Sequence, residues 1–190
     1  MYNGTITISD PLLVEEITEG LPEGIRAFVT YDQDAENPRT WYDHSTALVR
    51  TNTDTIEPDG NGDWRHSVTR DALEHFGHDF DLIARYLKMF HDAAAVVVED
   101  CGAYRTYNPV IGWITEADAR ELARSPEDVV KSDLEEYRQW AAGEVYGVIV
   151  TDEKADPSEN EAAIGGIYDD FDFSHIRSEI IPDLIAELRD

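Results

Sequence analysis

The chain has few of the residues that form covalent cross-links or compact positive charges. Its 190 residues include a single cysteine, Cys101, and only three lysines. One thiol excludes an intramolecular disulfide, and with it the secreted domains that depend on a disulfide framework. We interpret Cys101 as a small buried residue; a reactive nucleophile is the alternative.

Targeting and membrane-spanning signals are also missing from the sequence. The N-terminal stretch MYNGTITISD has no basic region followed by an apolar one, so it does not resemble a signal peptide. The longest apolar run, Ala93 to Val98, is too short to cross a bilayer. We therefore expect a soluble, cytoplasmic protein that makes no membrane contact.

Negative charge is the property that the sequence has in excess. Its 41 acids and 15 Lys and Arg give a formal net charge of −26. Nine Tyr, six Phe and four Trp argue against a disordered acidic tail, because such tails are poor in aromatic residues. We expect a folded domain with an acidic surface, which repels nucleic acid and attracts basic partners.

Two interpretations account for this acidity. In one, the surface imitates the charge of DNA and occupies a DNA-binding cleft. In the other, the acids keep the surface hydrated, as in proteins of salt-loving organisms. The acids cluster at 32–36, 54–63, 152–161 and 169–172, which are all predicted turns. The expected partner-binding residues come from the last two clusters: Asp152, Glu153, Asp156, Glu159, Glu161, Asp169, Asp170 and Asp172.

Short runs rich in apolar and β-branched residues predict six strands. They are Ile25–Tyr31, Thr46–Thr51, Ala94–Glu99, Val110–Thr115, Val145–Val150 and Ala163–Tyr168. The first two are compatible with a hairpin that has a long connection, and Ala94–Glu99 is typical of a central strand. Thr5–Ile8 alternates in polarity and is compatible with a further short strand.

Apolar residues at spacings of three and four predict the helices. They are Pro11–Ile17, Thr69–Asp92, a short helix after Thr115, Pro126–Ala142 and Ser178–Leu188. Thr69 is the expected N-cap of the longest, and Gly77 is a weak point within it. The order of elements predicts one α+β domain over 1–190, with a mainly antiparallel sheet packed against several helices. Residues 52–69 are expected to form a surface loop within it.

Catalytic signatures are missing. The chain has no glycine-flanked nucleophile, no phosphate-binding glycine loop and no basic patch with interleaved aromatics. We therefore predict no catalytic residue, no bound metal, no cofactor and no direct contact with nucleic acid.

Two stretches resemble cation sites and have simpler explanations. Asp59–Asp63 alternates oxygen ligands as a calcium loop does, but Trp64 and Arg70 stand where glycine and glutamate are needed, which favours a turn. His75 and His78 lie three apart on a predicted helix, where two imidazoles can share a metal. We favour exposed helix histidines, because no further zinc motif accompanies them.

Four segments resemble an uncharacterised family of small acidic proteins carried by phages and other mobile elements. They are the ENPR-x-W segment within Asp34–Val49, the strand and helix start of Ile111–Glu121, the EEY…GEVYG unit within Asp133–Val150, and GGIYDD at Gly165–Asp170. The resemblance covers about half of the chain, and the insert at 52–100 departs from it. It implies a phage or mobile-element setting, where small acidic proteins often inhibit host defence, and it supplies no catalytic residues.

These observations lead to one expected function and two alternatives. The expected function is an anti-defence protein in the host cytoplasm that binds the basic nucleic-acid cleft of a CRISPR effector or restriction enzyme. One alternative is a cation-dependent enzyme or metal-binding accessory protein that uses Asp169, Asp170, Asp172 and His175. The other is a salt-adapted protein with a different task.

Overall fold

A computed structural model describes residues 13–40, 44–51, 63–102, 107–156, 160–169 and 173–189. The chain divides into two compact units. Unit 1 combines Met1–Glu36 with Gly143–Asp190, and unit 2 is the continuous stretch Asn37–Ala142. Each unit contains an antiparallel sheet and its own hydrophobic core.

The described chain contains seven strands and five α-helices. The strands are β1 (Leu13–Ile17), β2 (Ile25–Tyr31), β3 (Thr46–Arg50), β4 (Ala93–Asp100), β5 (Pro109–Thr115), β6 (Tyr146–Asp152) and β7 (Glu161–Ile167). The helices are α1 (Trp64–Phe76), α2 (Phe80–Phe90), α3 (Glu116–Ala119), α4 (Pro126–Ala142) and α5 (Ile181–Glu187). A short 3₁₀ helix spans Pro38–Thr40, and a π-helical turn at Ile176–Ile180 leads into α5.

Unit 1 is a four-stranded sheet in the order β1-β2-β6-β7. β2 and β6 pair along their whole length, from Ile25 beside Asp152 to Tyr31 beside Tyr146. The π-helical turn and α5 contribute Ile176, Ile181 and Leu184 to the hydrophobic core of this sheet. Pro182 lies in the first turn of α5, where a missing backbone N–H costs least.

Unit 2 is a three-stranded sheet in the order β3-β5-β4, with helices on both faces. All seven residues of the central strand β5 are buried. Alternate side chains serve opposite faces, as a strand requires. Val110 and Ile114 pack with Leu134 and Tyr137 of α4, whereas Trp113 packs with the residues of α1 and α2.

The predicted α+β class with antiparallel pairing is confirmed. All six predicted strands match described strands within two residues at each end. The α4 boundaries are also confirmed, with Asp128 N bonded to Ser125 Oγ at 3.1 Å and Gly143 in the left-handed region at φ 73°. Within the described parts of the chain, no helix has the length and apolar character needed to cross a membrane.

The local pattern was misleading at three strands. Leu13–Ile17 is a strand rather than part of a helix, because pairing with β2 overrides the helical spacing of its apolar residues. The expected hairpin of β2 with β3 does not form, since β3 pairs with β5. β4 is an edge strand, and it is apolar because Val96 faces the α1–α2 side while Val97 faces α4.

The predicted surface loop at 52–69 is wrong for its last part. Trp64 to Thr69 belong to α1, whose N-cap is Asp63 rather than Thr69. The stretch is mostly polar, which favours a loop, but His66, Thr69 and Ala72 form the buried face of α1. The predicted helix Thr69–Asp92 is two helices, separated where Gly77 adopts φ 61°. Residues 52–62, with the proposed calcium turn, and Thr5–Ile8 lie outside the described residues.

Candidate functional site

Unit 1 carries most of the negative charge. It contains 21 acids and 4 Lys and Arg, a net charge of −17 on 84 residues. Unit 2 contains 20 acids and 11 Lys and Arg, a net charge of −9 on 106 residues. The density of negative charge is therefore more than twice as high in unit 1.

Four of the predicted partner-binding residues lie together at one end of the unit 1 sheet. β6 ends at Asp152, and β7 begins at Glu161. β2 begins at the same end, because Ile25 pairs with Asp152. Glu153, Asp156 and Glu161 are exposed, and Asp152 is half-buried. Asp152, Glu153, Asp156 and Glu161 are termed the turn-end acids below.

Two cations lie among the carboxylates of this end. Arg26 donates to Glu16 at 2.5 Å and 2.9 Å and lies 3.4 Å from Glu153. The hydrogen bond with Glu16 raises the pKa of Arg26. Lys154 pairs with Glu23 at 3.2 Å. Six acids, Glu16, Glu23, Asp152, Glu153, Asp156 and Glu161, accompany these two cations, so this end of the sheet keeps a net negative charge.

The opposite end of the same sheet combines acids with stacked aromatic rings. Tyr31 and Tyr146 stack with ring centroids 5.7 Å apart, and Phe173 meets Tyr146 edge-on at 5.1 Å. Burial raises the pKa of Tyr146, and the neighbouring Tyr31, Glu144 and Asp169 raise it further. This end therefore favours a neutral phenol beside carboxylates.

Asp169 lies at this aromatic end, away from the turn-end acids. Ile167, two residues before Asp169, pairs with Tyr146 at the start of β6, whereas Asp152 ends that strand. Six steps of a strand span roughly 20 Å. Asp169 also has a structural task, because its carboxylate accepts a hydrogen bond from Ile176 N at 2.8 Å. The predicted residues thus form two groups, and Glu159, Asp170 and Asp172 lie outside the described residues.

Asp32 is an acid whose position the sequence analysis did not anticipate. Its carboxylate accepts a hydrogen bond from Gly166 N at 2.8 Å, which ties the end of β2 to β7. A Cβ on Gly165 would lie 2.6 Å from Asp32 Oδ2, so a side chain at position 165 would displace this carboxylate. A pair of glycines inside a predicted strand signals such a close contact.

The described residues contain no group of three or more His, Cys, Asp or Glu arranged to hold a metal ion. His75 lies in the last turn of α1 and His78 follows the break at Gly77, so the helical spacing that would align the two rings is lost. Each ring meets a phenylalanine edge-on instead, His75 with Phe76 at 4.7 Å and His78 with Phe80 at 5.9 Å. Both histidines are exposed, as predicted, but His78 lies in the turn after α1 rather than in a helix.

The thiol of Cys101 is buried, as predicted. Its sulfur lies 3.9 Å from the carbonyl oxygen of Leu134. Burial raises the pKa of Cys101 to about 12, with a smaller contribution from the charges of Glu99 and Asp100. Because the thiolate is the nucleophile, this environment does not suit nucleophilic chemistry at neutral pH.

The chain matches no protein-family model, no curated protein and no solved structure.

Proposed function

We propose that this protein is an acidic inhibitor of host defence that binds the basic nucleic-acid cleft of a CRISPR effector or restriction enzyme. The concentration of charge in unit 1, with 21 acids against 4 Lys and Arg, is the observation that carries the proposal. A cleft that binds nucleic acid presents Lys and Arg to phosphates, and a dense anionic surface competes for the same cations.

The turn-end acids are the proposed centre of this surface. Asp152 and Glu161 lie at the ends of neighbouring strands, which are about 4.8 Å apart, and Glu153 and Asp156 follow in the turn after β6. Carboxylates at that spacing lie within one Debye length of about 8 Å at physiological salt, so a basic partner meets their combined potential. Glu153 keeps 61% of its side chain accessible although it lies beside Arg26, and Asp156 and Glu161 are also exposed.

The test is the affinity for purified basic defence enzymes, one CRISPR effector and one restriction enzyme, measured across a series of NaCl concentrations. The expected result is binding that weakens steeply with salt and that competes with duplex DNA. Salt-insensitive binding to these enzymes, or binding that DNA does not displace, would overturn the charge-mimicry proposal.

A triple variant locates the contact. Glu153→Gln, Asp156→Asn and Glu161→Gln together remove three exposed charges from the turn end of unit 1. Glu116→Gln, Glu121→Gln and Asp128→Asn remove three exposed charges from unit 2 and form the matched control. The first set is expected to reduce affinity by about tenfold or more, and the control by much less. Equal losses would mean that the turn end is not the contact surface.

A further inference from the structure

The stretch Trp64–His91, which contains α1 and α2, differs in charge from the rest of the chain. It contains four bases and four acids, a net charge of zero in a protein of net charge −26. The bases are Arg65, Arg70, Arg85 and Lys88, and the acids are Asp71, Glu74, Asp79 and Asp81. A surface without net charge cannot attract a basic partner, so it has no part in the function proposed above.

This neutral stretch also exposes large apolar side chains. Met89 is 73% exposed, Phe90 68%, Trp64 51% and Leu82 41%. Seven large hydrophobic side chains are exposed in the described chain, and these are four of them. Single exposed apolar residues are normal, but a group on one helix hairpin is typical of a contact surface.

The spacing of buried residues along α2 shows which face of the helix points away from the sheet. Ile83 and Leu87 are fully buried against the sheet of unit 2. Leu82, Arg85 and Met89, at spacings of three and four, lie on the opposite face. Asp81 and Lys88 border this outer face on one side, and Tyr86 borders it on the other.

We propose that two copies of this chain associate through the outer face of α2, with the two helices antiparallel about a two-fold axis. A two-fold axis near Arg85 places Leu82 against Met89 of the second copy. It also brings Asp81 beside Lys88 of the second copy, because residues on the same border of the face meet across such an axis. Each of these contacts forms twice.

The remaining residues of the face fit the same arrangement. Arg85 lies close to the axis, next to Tyr86 of the second copy, where a guanidinium can stack on the phenol ring. Tyr86 and Phe90 are already in contact within one copy, with ring centroids 5.5 Å apart. The pairing thus covers the apolar border of the helix and joins opposite charges on the other border.

Electrostatics favours a second copy at this surface over other arrangements of two copies. Two chains of charge −26 repel each other, and contact through their acidic faces would increase that repulsion. A contact through a segment of zero net charge brings no excess of like charge into the interface itself. Added salt screens the remaining repulsion, so this association is expected to strengthen with salt, whereas binding of a basic partner weakens.

The first test is sedimentation velocity of the full chain over about a hundredfold range of concentration. Measured at about 0.1 M and about 1 M NaCl, the dimer fraction is expected to rise with concentration and with salt. A chain that is monomeric throughout, or a dimer that dissociates as salt rises, would overturn the proposal. Failure here leaves the binding of basic enzymes untouched.

A charge exchange tests the orientation of the helices. Asp81→Lys and Lys88→Asp are each expected to raise the dimer Kd by about tenfold, because two attractive pairs become two repulsive ones. The double exchange is expected to restore most of the affinity, although each change opposes the helix dipole. A double variant that is weaker than both single variants contradicts the antiparallel pairing.

An apolar change and a cross-link complete the test. Met89→Glu is expected to weaken the dimer by about thirtyfold or more, and Ile164→Glu, at an exposed position in β7, is the control. In case Met89→Glu perturbs the fold, Arg85→Cys provides a second route, since position 85 meets its own symmetry mate near the axis. Oxidation with copper phenanthroline should link two Arg85→Cys chains efficiently. The Tyr107→Cys control should not cross-link, and equal linkage of both would refute the interface.

Discussion

A buried arginine organises the start of unit 2. Arg39 is only 6% exposed, and it follows the Pro38 of the ENPR segment. Its guanidinium donates to the Thr46 carbonyl oxygen at 2.7 Å and to Asp133 Oδ2 at 3.1 Å. Thr46 Oγ1 also donates to Asp133. The Arg39 side chain thereby joins the 3₁₀ helix, β3 and α4. This contact gives the arginine of the ENPR segment a structural role.

Arg39→Ala is expected to destabilise the protein by about 3 kcal/mol, because it leaves Asp133 and the Thr46 carbonyl without their cation. The measurement is the midpoint of urea unfolding. Lys131→Ala is the control, since it removes an exposed pair with Glu127 at 2.7 Å and is expected to change little. A similarly small effect of Arg39→Ala would show that the network does not stabilise unit 2.

A buried histidine in α1 makes stability depend on pH. His66 is 9% exposed, and its Nδ1 lacks a hydrogen-bond partner among the described residues. Burial lowers the pKa of His66; Asp63 opposes this shift, while Arg39, Arg65 and Arg70 add to it. The unfolded chain therefore takes up this proton at a higher pH than the folded chain does. The resulting stabilisation is present above about pH 6.5 and is lost as the pH falls through the folded pKa.

His66→Phe is expected to reduce the loss of stability between about pH 7.5 and pH 5.5, because the titrating group is removed. Urea midpoints at the two pH values measure this difference. His75→Gln, at an exposed position of the same helix, should leave it unchanged. An unaltered pH dependence in His66→Phe would mean that other groups cause it.

At the scale of the element, a glycine in the central strand sets how closely a helix can approach. A Cβ on Gly112 would lie 2.8 Å from Val130 Cγ1 and 3.0 Å from both Leu134 Cδ1 and Leu48 Cδ2. Val130 and Leu134 are fully buried residues of α4. The helix therefore packs directly on the backbone of β5.

Gly112→Ala is expected to destabilise unit 2 by about 1 to 3 kcal/mol, because α4 must shift away from the sheet. Urea unfolding measures this loss. Val130→Ala creates room at the same place, so the double variant should be more stable than the sum of the two single effects predicts. Additive effects would show that the two positions do not compete for space.

Boundaries of elements show what sequence could and could not predict. The strands β2, β5 and β6 and the helix α4 carry strong periodicity or caps, and they were predicted. Thr69 was expected to be a helix N-cap, but it lies inside α1 and its hydroxyl accepts from Trp113 Nε1 at 2.9 Å. Only the fold brings a residue 44 positions away to that hydroxyl, so local rules could not distinguish a cap from a buried partner.

For the whole molecule, the net charge of −26 means that repulsion among its own charges lowers the stability of the folded state. Screening of that repulsion should raise Tm by roughly 4 °C or more between about 10 mM and 500 mM NaCl. The Glu153→Gln, Asp156→Asn, Glu161→Gln variant should have a higher Tm at low salt, and its Tm should rise less as salt is added. A protein that unfolds at low salt and requires molar KCl would instead support surface hydration as the role of the acids.

The candidate site was only partly visible in the sequence. The clusters at 152–161 and 169–172 were found by counting acids, and counting cannot show that a strand of about 20 Å separates Asp152 from Asp169. From the sequence alone, α2 is an ordinary amphipathic helix, and nothing marks its outer face as a contact surface. Its significance depends on which side the sheet covers, and that is decided by tertiary packing.

The interrupted course of unit 1 along the chain has a consequence for biosynthesis. β2 and β6 share seven register pairs, yet the 106 residues of unit 2 separate their segments. A ribosome that adds about 5 to 20 residues per second needs roughly 5 to 20 s to make that insert. During that time the edge of β2 that pairs with β6 stays open in the nascent chain. An unpaired strand edge can pair with other chains, so the interval before β6 is synthesised is when a chaperone that covers β2 matters most for production of this protein.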